Sequence, residues 1–219
     1  MKKLLSLSSV TLLLAAACGG PVKDAVVQTF SEPKLMTTWE SKCTDAGEVL
    51  KLSEKTFLKF NGAGFERIQS FYSTDKCGAD KPANEAVVAA EVRYKGSFLL
   101  TNNAIPANGA KLIDYKIDQA KVVALNDAGL KVLNETKLCG HENFQLNQEV
   151  DLTSESAGGT CPLQTAPSVA YEIYKINDGS PYQLLISQHG WFSGRGETSK
   201  DRPADLDAEN FYVPSQRSW

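Results

Sequence analysis

Five thiols carry most of the reactive chemistry open to this 219-residue chain: Cys18, Cys43, Cys77, Cys139 and Cys161. In an oxidising compartment cysteines pair, so an odd count leaves one for other chemistry. The odd one is Cys18, which follows Ala15-Ala16-Ala17 directly behind a short apolar run. The remaining four lie in the body of the chain and can all pair, with three connectivities open to them. The expected set is Cys43–Cys77 with Cys139–Cys161. The first pair brackets a strand from Gly47 and the Asn61-Gly62 hairpin, and an antiparallel sheet brings such ends together. The second brackets a strand at Phe144–Leu152 and the return Ala157-Gly158-Gly159. Crossed pairings would tie the front of the domain to its back through much longer loops.

Other catalytic chemistry is hard to assemble. The two histidines, His141 and His189, lie 48 residues apart, and no metal site or cofactor is expected. Asp201, Asp205 and Asp207 cluster without the glycine and terminal glutamate of a calcium loop. No nucleophile elbow, Walker loop or dinucleotide fingerprint occurs. The chain is therefore not expected to be an enzyme. Asn134-Glu135-Thr136 matches a glycosylation sequon, which is read as chance.

The N-terminus places the protein. Lys2 and Lys3 precede an apolar run, Leu4–Leu14, and small residues follow. That is a secretory signal peptide over residues 1–17, and the run is too short to cross roughly 30 Å of hydrocarbon as a helix. The ending Leu14-Ala15-Ala16-Ala17-Cys18 resembles the bacterial lipobox. The resemblance implies that the Cys18 thiol is lipidated and that cleavage leaves it as the N-terminal residue, anchoring the protein in the cell envelope. Gly19 after the cysteine implies the outer membrane. Each buried methylene contributes about 0.8 kcal/mol, so two or three acyl chains hold such a protein firmly. Losing residues 1–17 removes two lysines and no acid, which takes the formal charge from −3 to −5. That balance gives no reason to bind nucleic acid.

Residues 18–34 read as a lipid-anchored, flexible tether, flanked by Gly19, Gly20, Pro21 and Pro33. From residue 35 to 219 the dominant period is two. Val92, Tyr94, Phe98 and Leu100 alternate with polar neighbours, as do Ile113, Tyr115 and Ile117; these seven are expected to face a core. Thr56–Phe60 and Phe65–Tyr72 flank a hairpin at Asn61-Gly62. A looser connection spans Asn102–Gly109. Further strands are expected at Trp39–Cys43, Gly47–Leu52, Phe144–Leu152, Val169–Ile176 and Tyr182–Gln188. One short helix starts at Asp127 as N-cap, with Leu130, Leu133 and Leu138 near helical spacing and Gly140 past its end.

Many short strands with regular turns predict an all-β fold, a small antiparallel β-barrel with one short helix. The order of elements resembles the lipocalin-like, calycin-type barrels of bacterial lipoproteins. It is carried by Trp39 shortly before Cys43, by Phe71-Tyr72-Ser73-Thr74-Asp75-Lys76-Cys77 and by Leu138-Cys139-Gly140. The run Tyr171–Ile176 and the closing Arg202-Pro203-Ala204-Asp205-Leu206-Asp207 complete it, over residues 35–213. The late aromatics Trp191, Phe192, Phe211, Tyr212 and Trp219 are expected to pack the core and the barrel end. A transmembrane barrel is the competing use of such alternation. The lipidated start, the four body cysteines and the mid-chain helix speak against it. The resemblance implies a cup for a small apolar ligand. The expected function is thus a lipid-anchored envelope lipoprotein that binds a small molecule; the alternative is an interaction lipoprotein with no small-molecule site.

Overall fold

The computed structural model describes residues 32–46, 50–78, 88–105, 107–153, 168–187 and 198–215. Its strands are β1 (Thr38–Ser41), β2 (Thr44–Asp45), β3 (Ser53–Asn61), β4 (Gly64–Tyr72), β5 (Val88–Ala104) and β6 (Lys111–Ala124), then β7 (Glu149–Asp151), β8 (Ser168–Asn177), β9 (Gln183–Ile186) and β10 (Tyr212–Pro214). Helix α1 (Asp127–Thr136) separates β6 from β7. Each main strand pairs antiparallel with the next along the chain: β1–β3–β4–β5–β6–β8–β9–β10. Then β1 pairs with β10 as well, Trp39 standing opposite both Leu58 and Pro214. The sheet is a closed, eight-stranded, up-and-down barrel. Short β2 extends the edge of β3, and β7 continues along β6 where β8 leaves off.

The two-residue period decides which residues fill the barrel. Leu58 and Phe60 on β3, Phe65 and Phe71 on β4, and Val92, Tyr94 and Leu100 on β5 all enter one buried cluster with Ile113, Tyr115 and Ile117 on β6. Phe98 packs against it only partly buried, edge-on to Phe60 with ring centroids 5.2 Å apart. On β6 the inward phase then changes from Ile117 to Ala120, Val122 and Ala124. The cause is an irregularity in register: Lys95 faces Gln119 while Gly96 faces Ile117, which leaves Asp118 as the extra residue. Gly96 is required at this kink, because a Cβ there would stand 1.9 Å from the Lys116 carbonyl oxygen. Lys95, Lys116 and Asp118 point into solvent. A mostly apolar inner face with charges outside at these positions is the reverse of the alternation in a transmembrane barrel.

The two ends are closed differently. At the end bearing the β3–β4 hairpin, Leu35 and Trp39 are fully buried, and the Trp39 indole N–H donates to the Leu35 carbonyl at 3.1 Å. Glu32 and Lys34 hold this segment to Lys111 and Asp178. At the other end lies α1. Its approach to β5 is so close that a Cβ on Gly129 would come within 1.9 Å of the Ala89 carbonyl oxygen.

Several local expectations change. The N-cap is Asn126, not Asp127: its side chain accepts from the Gly129 N–H, and Asp127 occupies the first helical turn instead. The helix ends at Lys137 in the left-handed region, before Gly140. In the β3–β4 hairpin Asn61 is the last strand residue, and Gly62 alone takes the positive φ, +54°. Of the strand expected at Gly47–Leu52, residues 47–49 lie outside the described residues, while Leu50 is helical and Lys51 turns through φ +50° into β3. Phe144–Leu152 shrinks to the three residues of β7, because Phe144 is drawn under α1 by Asn134, whose Oδ1 accepts its N–H at 2.8 Å. Cys43–Cys77 is formed, with Cα atoms 5.8 Å apart. Cys139 is also disulfide-bonded. Its expected partner Cys161 lies outside the described residues, as do Cys18, the signal peptide and most of the tether.

Two stability predictions follow from this packing. Gly129→Ala should dislodge α1 from β5 and lower the melting temperature by far more than the gain an alanine brings to an exposed helix, about 1 kcal/mol. A rise in melting temperature would mean the helix does not dock as described. Removing Cys43–Cys77, which spans a separation of 34 residues, should cost about 3.8 kcal/mol by chain entropy. Denaturant titration of the Cys43→Ser, Cys77→Ser double variant measures it, and a loss under 1 kcal/mol would contradict it.

Candidate functional site

An apolar cavity of about 230 Å³ opens at the α1 end of the barrel. Its walls come from three directions. Helix α1 supplies Gly129, Val132 and Leu133, with Leu138 just beyond it. Strands β4 and β5 supply Phe71, Ala90 and Val92. The segment that enters β3 supplies Ala46, Leu50 and Leu52. The Asn126 cap fixes where the helix begins, and the missing side chain at Gly129 lets it rest on the barrel rim. The Cys43–Cys77 bond holds the third wall, since it ties the chain just before Ala46 to the end of β4.

Only two polar side chains line this space among the described residues, Glu54 and Gln69. They are diagonal neighbours on β3 and β4, and both take the inward phase of the apolar residues around them. The Gln69 amide donates to Glu54 Oε2 at 2.6 Å, and the Thr44 hydroxyl reaches Oε1 at 3.5 Å. The cation whose charge reaches Glu54 is Arg67, deeper in the barrel. Burial in this apolar setting pushes its carboxyl above the usual range. The Gln69 hydrogen bond and the charge of Arg67 oppose that shift without cancelling it.

Below the cavity large side chains occupy the barrel. Tyr94, Tyr115 and Tyr212 occupy its interior with Arg67 and Glu172, each nine-tenths or more buried. Burial is the main cause that raises the pKa of Tyr115 and Tyr212, and Arg67 partly offsets it in both. A second, shallower groove lies outside the barrel beside Cys43–Cys77, lined by Lys42, Lys55 and Lys76. Lys42 already lies 4.0 Å above the Phe211 ring, and Lys55 is paired with Glu40.

The residues singled out by spacing do not converge. His141 lies beside the Phe144 ring, and His189 is outside the described residues. Asp201 accepts from Thr198, and Asp207 accepts the backbone N–H groups of Glu209 and Asn210. These are local turn bonds. Asn134 of the sequon is used to hold Phe144. No group of metal-ligating side chains is present among the described residues. Of the late aromatics, Tyr212 packs in the core and Phe211 lies beneath Lys42 at the outer groove; Trp191, Phe192 and Trp219 are outside the described residues. Glu54 and Gln69 were not anticipated. The signal was available: Glu54 precedes Leu58 by four and Gln69 follows Phe65 by four, so strict alternation sends both inward.

Comparison with protein-family models gives no match to this chain, and comparison with curated proteins gives none either.

The Glu54 carboxyl makes a pH test. Its folded pKa is raised above the unfolded value, so its contribution is most favourable below the ordinary carboxylate range, about 4.3, and is lost as pH rises through the folded value. Glu54→Gln should therefore melt higher than wild type at pH 7, with the difference shrinking toward pH 4. A difference that is constant with pH, or that favours wild type at pH 7, would show the carboxyl to be well solvated.

Proposed function

We propose that this chain is a lipid-anchored lipoprotein of the bacterial cell envelope, most simply of the outer membrane, whose lipocalin-like barrel holds a small apolar molecule at its mouth. The observation that carries the reading is the apolar cavity of about 230 Å³ beneath α1. It exceeds the engineered 150 Å³ cavity that admits benzene. Mouths of β-barrels and clefts with few polar groups are where small-ligand sites occur. The anchor rests on the run ending at Cys18, and the up-and-down topology is that of lipocalin-type barrels. The alternative, an interaction lipoprotein acting through its loops, draws support from the large side chains that occupy the lower barrel; the space at the mouth tips the balance toward binding.

An environment-sensitive neutral naphthalene probe should bind the soluble domain with Kd between about 1 μM and 1 mM. Val132→Trp, which fills the cavity from α1, should weaken it at least tenfold with the melting temperature held. Equal titration of the two proteins would overturn the site. For the anchor, alkyne fatty-acid labelling should mark wild type and not Cys18→Ser; equal labelling would exclude lipidation at that thiol.

A further inference from the structure

Glu54 is an unexpected residue to find in this cavity. A carboxyl in an apolar pocket is costly unless something offsets its charge, and natural proteins rarely keep one without a partner. Within the fold its partners are neutral: the Gln69 amide at 2.6 Å and the Thr44 hydroxyl at 3.5 Å. The second of these is at the limit of a hydrogen bond. The other charged groups that reach it are Arg67, from deeper in the barrel, and Asp45, from β2, and these act in opposite directions. One Glu54 oxygen is thus almost unused, at the edge of a space lined otherwise by Leu52, Phe71, Val92, Val132 and Leu133. A carboxylate beside an apolar slot is the complement of a cation with an apolar tail.

We infer that the cavity takes a small amphipathic amine, its alkyl or aryl body between α1 and β4–β5 and its ammonium on Glu54, with the Gln69 amide oxygen as a second acceptor. The inference rests on the reading of the cavity as a ligand site and specifies the ligand's chemistry. An alkylammonium is charged at neutral pH, its pKa being near that of lysine, about 10.4. Where Glu54 is protonated before binding, its proton passes to solvent as the ion pair forms, and the site ends neutral overall. Carboxylate ligands are disfavoured, because they would bring a second negative charge against Glu54.

Three ligands of one length separate the possibilities: n-hexylamine, 1-hexanol and hexanoate, titrated calorimetrically into the soluble domain at pH 7.5. Hexylamine should bind at least tenfold tighter than hexanol, and hexanoate weakest of the three. Glu54→Gln should remove the preference for the amine while leaving hexanol binding within twofold. Since this substitution replaces a desolvated carboxyl with an isosteric neutral amide, retained hexanol binding also reports that the cavity is intact. Equal binding of amine and alcohol by wild type, or an amine preference that survives Glu54→Gln, overturns the amine assignment and leaves the apolar site standing. If none of the three binds, the cavity is not a ligand site, and both readings fall together.

Discussion

Closure by β1 is the constraint on which the rest of the molecule depends. A four-residue strand pairs with β3 on one side and β10 on the other, so that no open edge is left between the first and last strands. Closing the sheet removes the unpaired backbone groups that an edge would expose. It also encloses the inward-facing side chains, which is what turns an alternating sequence into a core. Trp39 sits at this seam, fully buried, with its indole N–H satisfied by Leu35. The chain entering the barrel thus plugs the floor with its own first turn. The mouth is left to α1.

The interior is divided by this arrangement. Large aromatic side chains meet around Phe60, Phe65 and Tyr115 near the floor. Toward the mouth the inward residues become small, with Ala90 on β5 and Ala120 and Ala124 on β6. The helix makes up only part of the lost volume, because it spans the rim instead of inserting into it. Gly129 sets how near the helix comes, and Asn126 sets where it starts. The cavity is what remains between a tapered core and a rim-bound helix, and among the described residues Glu54 is the one ionisable group on its lining.

Much of the fold was legible because period-two alternation dictates it. The inward sets on β5 and β6 and the β3–β4 hairpin followed from the alternation of apolar and polar residues. The Cys43–Cys77 bond followed from the reach of an antiparallel sheet. What failed was local competition. Asn126 and Asp127 are both good helix caps, and only the geometry of the turn leaving β6 favours the first. Phe144–Leu152 has a strand's composition, but Asn134 binds the backbone of Phe144 and the segment pairs only at its end. The cavity was not legible at all as a place. Its residues come from α1, from β3–β5 and from the chain before β3, and a pocket made by elements far apart in sequence leaves no spacing to read. Glu54 is legible in phase only once β3 is seen to begin at Ser53, three residues before the expected start at Thr56.

The central claim is that the mouth of this barrel holds a largely apolar cavity suited to a small molecule. The most direct test is a crystal structure of the soluble domain under xenon pressure, since xenon enters dry apolar cavities and marks them by its scattering. The account predicts a xenon site in van der Waals contact with Phe71, Val92 and Leu133, with none among the tyrosines of the floor. Side chains packed across the mouth, or xenon absent there and present elsewhere in the barrel, would contradict it.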